Sequence, residues 1–325
     1  MTGGRPGPSL GPIAGHVRGA HRAWLEPVRT QFAASGLAVG DVARQAGYAK
    51  SKVSELLRGE GLYPTWLLTS SVVTVLRMPR TPMMRLWQQA AVEAHKDLAW
   101  IENCVKQVMR IPGEDVAPVD QAGFIADSEP SYIRYGSVFL GTPMATLAVR
   151  ETSNLLWLRW DEILGSPDLH RTAWQILRHR VMARTPHTDD RPVLKSAARY
   201  TRALREARAA SDTAAQRRQL EESLALFEAI SHLPDAQMDV IILLHACGID
   251  VSTTADVLGV PPAIVRSDEL HAKRALASML ALLAPSSPVT PGGPAGPAGL
   301  LGRTWPPPPP LFATQTPNHP EGTSL

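Results

Sequence analysis

Residues 36–59 read GLAVGDVARQAGYAKSKVSELLRG, and the spacing of their apolar side chains predicts two short helices joined by a tight turn. Val39, Val42 and Ala43 recur at helical spacing and mark the inward face of the first helix. Gly47 ends it, because a residue without Cβ can take the left-handed conformation of a C-cap. The second helix is expected from about Lys50 to Arg58, with Val53, Leu56 and Leu57 facing inward and Gly59 stopping it. Ala43 is small where the two helices must cross. Lys50, Ser51, Lys52, Ser54 and Arg58 are left pointing outward. Cations of that kind sit on phosphates and hydroxyl tips reach base edges, so the pattern fits a helix laid in the major groove of double-stranded DNA. The arrangement is the geometry of a helix-turn-helix. The plainer alternative is a helical hairpin that packs elsewhere and touches no DNA.

Leu37, Val42-Ala43, Gly47-Tyr48, Val53-Ser54 and Leu56-Leu57-x-Gly59 resemble the Xre/Cro-type helix-turn-helix family. The likeness runs from about Trp24 to Leu76 and implies one small domain of about five helices, assigned to residues 21–95. Ala49 departs from the family pattern, which places a Ser or Thr cap there, and Ser51 is the nearest substitute.

The 325 residues are too many for one typical domain. A hydrophobic fraction of 44% supports sizeable cores, and a pI near 9.0 permits contact with an anionic polymer. Cys104 and Cys247 lack partners at metal or redox spacing and read as reduced thiols of a cytoplasmic protein. The start MTGGRPGPSLGP has no apolar core of a signal peptide, and no apolar run approaches the ~20 residues of a membrane span.

Residues 1–20 are Gly/Pro-rich and are expected to be disordered. The first helix is expected at about Arg22–Ala34. Pro64 is placed to begin another, with Trp66, Leu67 and Val73 as core candidates, and a further helix after Pro82 carries Leu86 and Trp87. Leu98, Ile101, Val105 and Val108 mark an amphipathic connecting helix, and residues 111–121 read as a linker within a 96–122 connection. Residues 123–184 read as three helices, Tyr132–Leu140, Met144–Leu164 and Leu169–Ala183. A polar break at 185–192 leads into a helix within 185–212. There Lys195, Arg199, Arg202, Arg205 and Arg208 form one stripe, either a solvated face or a phosphate-binding one. Four helices are expected in 213–284, closing with a second helix-turn-helix around Gly259. Residues 285–325, with Pro306–Pro310, cannot bury a core and read as a disordered tail.

Within that last block, Leu233-Pro234-Asp235, Val240-Ile241, Gly248, Ala255, Val257-Leu258-Gly259-Val260-Pro261 and Lys273-Arg274-Ala275-Leu276 resemble region 4 of the sigma-70 family, closest to its extracytoplasmic-function group. The resemblance implies a helix that grips promoter DNA, here through Arg266, His271, Lys273 and Arg274. Asp268 and Glu269 stand beside these cations and are unfavourable against a phosphate backbone. The middle block resembles region 2 of the same family. Ala145, Val149, Glu151-Thr152 and Trp157 are similar to its polymerase-binding helix, and Trp174, Ile176 and Arg178 to its promoter-melting helix. The resemblance implies that Glu151, Trp157, Trp174, Arg178, His179 and Arg180 bind polymerase or contact an opened strand.

No phosphate-cradling glycine loop and no His/Cys cluster of ligand spacing occurs. Gly7–Gly11 spells G-x-S-x-G but lacks the strand and helix that a nucleophile elbow needs. The sequence therefore predicts an all-α protein with no catalytic set, cofactor or metal. Its N-terminal helix-turn-helix domain is followed by sigma-like three-helix and four-helix blocks. Its expected partners are double-stranded DNA and core RNA polymerase, with no membrane contact, and a homodimer is one possible assembly. The competing class is a regulator whose sigma-like half serves only as a protein-interaction scaffold.

Overall fold

The computed structural model describes residues 10–108, 116–195, 197 and 214–283. The expected disorder of 1–9 and 285–325, the linker core at 111–115 and the arginines at 199, 202, 205 and 208 lie outside the described residues. Among the described residues the fold is all-α apart from one hairpin of two-residue strands, β1 (His187–Thr188) paired antiparallel with β2 (Arg191–Pro192) in the expected polar break.

The N-terminal block holds α1 (Gly19–Ser35), α2 (Val39–Ala46), α3 (Lys50–Arg58), α4 (Trp66–Val75), α5 (Arg80–Glu93) and the connecting helix α6 (Leu98–Lys106). Its core is made by Trp24, Leu25, Val28, Val42, Ala43, Val53, Leu57, Trp66, Val73, Leu86 and Trp87, each at most 2% exposed. Leu67 and Leu98, expected inside, are exposed. Thr65 caps α4 by accepting from Leu68 N, which displaces Pro64 from the first helical turn. Arg18 gives α1 no cap. Instead Glu93, at the far end of α5, accepts from Ala20 N at 2.9 Å, so the two helices that pack most closely here also share a terminus. Rings of His21, Trp24, Tyr63, Trp87, Trp66 and Trp100 follow one another with centroids 5.1 to 6.5 Å apart.

Leu10 to Arg18, expected to be disordered, form a strap instead. Ala14 N donates to Arg58 O, Val17 is buried, and Arg29 from α1 donates to both Gly11 O and Leu57 O at 2.8 Å. The strap thereby holds the last turn of α3.

The remaining described residues fold as α7 (Val119–Leu140), α8 (Thr142–Leu158), α9 (Trp160–Leu164), α10 (Leu169–Met182), α11 (Ala214–Ser231), α12 (Asp235–Ile241) running into a π-helical turn at Ile242–Ala246, α13 (Val251–Leu258) and α14 (Pro262–Leu283). Helix α7 begins inside the expected linker and passes through Pro130, and the single helix expected over 144–164 breaks at Arg159. The middle and C-terminal blocks, expected to be separate, share one core. Tyr132, Tyr135, Phe139, Trp174, Leu177 and Val181 pack with Ile230, Met238, Ile241, Leu258 and Val265. Leu155 of α8 joins the N-terminal core instead, so α8 sits between the two.

Candidate nucleic-acid interface

Three glycines end helices in the same way. At Gly47, Gly59 and Gly259 φ lies between 64 and 75°. The following residue donates back five positions, Tyr48 to Ala43, Glu60 to Glu55 and Val260 to Ala255, at 2.9 to 3.0 Å. This is the six-to-one bond of a Schellman ending. Gly47 and Gly259 each turn the chain from a short helix into a longer-reaching one, which gives the chain two helix-turn-helix units, α2–α3 and α13–α14.

In the first unit, Val42, Ala43, Val53, Leu56 and Leu57 are buried, and the outward face of α3 carries the five side chains expected there. Lys50, Ser51 and Lys52 are exposed; Ser54 and Arg58 are half-buried. Lys52 pairs with Glu55 at 2.9 Å and Arg58 with Glu60 at 2.8 Å, while Lys50 has no ion-pair partner among the described residues. Exposed pairs of this kind are worth about 0–1 kcal/mol, so a phosphate can displace the carboxylates. The N-cap of α3 is Ala49, which offers no acceptor. The first N–H groups of the helix therefore face outward without a side-chain cap, beside two lysines.

The second unit is built differently. Arg266, His271 and Arg274 are exposed on α14, but Lys273 is half-buried and pairs with Glu269 at 2.6 Å. Glu269 also meets His245 Nε2 at 2.9 Å. Partial burial pushes its carboxyl up, and hydrogen bonds from Lys273 and His245 outweigh that and hold it low. Glu269 is thus turned into the fold, which corrects the expectation that it would confront a phosphate backbone. The face that remains outward includes Ile264 and Leu270, 48% and 49% exposed. The turn itself is covered: a Cβ at Gly259 would lie 2.4 Å from the backbone N of Arg171, at the start of α10.

The residues expected to bind polymerase or a melted strand sit inside the molecule, with one exception. Trp174 is 5% exposed and packs edge-on against Tyr135, with ring centroids 4.6 Å apart. Arg178 is held by Asp239 at 2.7 Å and Asp235 at 2.9 Å, and Tyr135 donates to Asp239 at 2.7 Å. Burial pushes the Asp239 carboxyl up to about 6, against the pull of Arg178. Glu151 is wholly buried, with Arg184 at 2.5 Å and Arg180 at 3.4 Å. Arg180 reaches Glu26 and Arg184 reaches Glu93, so the cluster ties α8 and α10 to α1 and α5. Trp157 is buried under the Arg85 guanidinium. His179 alone is exposed, in the cleft between α1 and α10. The reason for these corrections is common to all: each side chain satisfies a partner from a helix distant in sequence.

Comparison with protein families, with curated proteins and with solved structures found no match. Among the described residues no cluster of His, Cys, Asp and Glu could hold a metal ion, and no helix is long and apolar enough to cross a membrane.

Proposed function

We propose that this chain is a DNA-binding transcription regulator that reads double-stranded DNA through α2, its glycine turn and α3. The observation that carries the reading is the outward face of α3. Lys50, Ser51 and Lys52 stand exposed on its first turn, next to N–H groups that Ala49 leaves uncapped. A helix N-terminus with free donors and flanking cations attracts phosphate, and the serine beside them can reach a base edge. The missing cap, a defect for an isolated helix, is an asset in that setting.

The sigma-like half engages the transcription machinery as a docking body rather than as a stand-alone initiator. Burial of Trp174 and Arg178 in the shared core favours this second element of the reading. The exposed Ile264 and Leu270 on α14 suit a protein surface better than a phosphate backbone.

The test uses the full chain. Duplex affinity is measured across a salt series for the wild type and for Lys50→Ala/Lys52→Ala. The double variant should bind more weakly, and its log affinity should fall less steeply with log salt, by about one for each phosphate that the lysines no longer neutralise. An unchanged slope would remove α3 from the interface. Run-off transcription with core polymerase tests the other half, and initiation by this chain alone would overturn the docking role. Deleting 1–95 is a poorer control, because it strips α1 and α5 from α8 and takes Glu26 and Glu93 away from Arg180 and Arg184.

A further inference from the structure

Helix α1 and the turn after α4 face α8, α9 and α10 across a cleft of about 1240 Å³, where the N-terminal block meets the middle one. Ligand pockets run from roughly 300 to 1,000 Å³ and favour such junctions, so there is room for a small molecule. Ile13, Met78, Leu158 and Ile176 line the cleft, each half-buried, and give it an apolar wall. Arg180 and Trp160 line it too, at 8% and 3% exposure. Arg180 Nε and Trp160 Nε1 are buried and have no hydrogen-bond partner among the described residues. Both atoms only donate. A buried donor left without an acceptor is costly, and two of them beside one cleft call for an acceptor that the described chain does not supply.

The charges around the cleft narrow the choice. Arg29, Arg77, Arg159 and Arg180 line it against three carboxylates, which leaves one positive charge. Arg159 is cancelled by Glu162 at 2.7 Å, and Arg180 faces Glu26 at 3.6 Å. Arg29 donates to the carbonyls of Gly11 and Leu57, and Arg77 has no ion-pair partner among the described residues. Asp161 is the one carboxylate left against those two. Partial burial and the neighbouring Arg180 hold His179 below its ordinary value, so it adds no charge at neutral pH. We propose that this cleft binds a small monoanionic carboxylic acid built on an apolar frame. Its carboxylate is drawn to Arg77, Arg180 and the Trp160 N–H, and its frame lies on the apolar wall. A nucleoside polyphosphate would bring more negative charge than this lining balances. The site is independent of the α3 reading, since none of its groups belongs to α2 or α3.

The experiment titrates the full chain with naphthoate, and with naphthamide as its neutral counterpart, by calorimetry and by ¹⁵N spectra of the indole N–H groups. Naphthoate should bind about tenfold more tightly than naphthamide, the gain from one charge-assisted contact. The Trp160 N–H signal, identified by its loss in Trp160→Phe, should move as naphthoate is added. Arg77→Asn should weaken naphthoate binding about three- to tenfold and leave naphthamide unchanged. Asn suits the left-handed backbone at that exposed position, where φ is 55°, so the variant should fold as the wild type does. Gln175→Trp, at an exposed position on the α10 wall, should fill the cleft and abolish binding of both probes. Circular dichroism checks that both variants are folded. Equal affinity for the two probes would overturn the carboxylate assignment. Unchanged naphthoate binding in Arg77→Asn and Gln175→Trp would overturn the location. No heat from naphthoate at millimolar concentration would overturn the site and leave the two orphaned donors to water. DNA is absent from the titration, so each of these outcomes leaves the α3 reading where its own salt series puts it.

Discussion

His21 and Asp239 respond to acid in opposite senses. His21 stacks on Trp24 and its Nε2 is buried without a hydrogen-bond partner among the described residues. Burial, helped by nearby His16, pushes its pKa down from 6.5 to about 4. The unfolded chain accepts a proton near 6.5 and the folded one resists until about 4, so this contribution to stability is complete above 6.5 and is lost as pH falls through the window. Asp239 is the reverse case. Its folded pKa lies above the ordinary carboxylate value of 3.8, so stability is greater at low pH and falls as pH rises through about 6. His21→Phe keeps the stacking and removes the titration. The drop in melting temperature between about pH 7 and pH 4.5 should be smaller in this variant than in the wild type. Thermal denaturation followed by circular dichroism decides it, and an equal drop in both proteins would show that His21 is not the acid-sensitive group.

The two helix-turn-helix elements differ in what surrounds their glycines. A Cβ at Gly47 meets nothing within 4 Å, whereas one at Gly259 would collide with the backbone of Arg171. Gly47→Ala should therefore cost only the left-handed backbone penalty, about 1–2 kcal/mol. Gly259→Ala should cost more, because the turn must also lift from α10. Urea unfolding of the two variants makes the comparison, and similar losses would mean that the packing against α10 is slack. The glycine endings are readable in the sequence because a C-cap is a local device. Helix α7 is not, since Gly123 and Pro130 look like boundaries. The helix runs through them because Gln121 anchors its start by donating to the Ser153 carbonyl, and Ser128, Tyr132 and Tyr135 are buried along it. Gly136 adds to this by approaching Ala145 so closely that a Cβ would lie 3.0 Å from that methyl group.

At the scale of the molecule, the outward residues of α3 are legible from spacing alone, while the placement of Trp174, Arg178 and Glu151 is not. Trp174 and Arg178 have the composition of a strand-binding surface. Their burial is decided by Tyr135 and Asp239, which a local pattern does not bring near them. Glu151 shows the same dependence: one carboxylate with no exposure joins α8, α10 and, through Arg180 and Arg184, the N-terminal block. Glu151→Gln should leave Arg180 with Glu26 alone and Arg184 with Glu93 alone, and cost less than the about 3–5 kcal/mol of a buried pair broken outright. Amides of α1 and α5 should then exchange with solvent faster while those of α13 keep their protection. Uniform acceleration over all helices would assign Glu151 to global stability rather than to the joint. The ring sequence from His21 to Trp100 has an optical consequence. Trp66, Trp87 and Trp100 are near neighbours, with ring centroids 5.7 Å apart from Trp66 to Trp87 and from Trp87 to Trp100. At such separations excitation absorbed by one indole migrates among the others before it is emitted. The block that holds α3 should therefore emit through three coupled indoles, so that a disturbance at Trp66, Trp87 or Trp100 changes the light from all three.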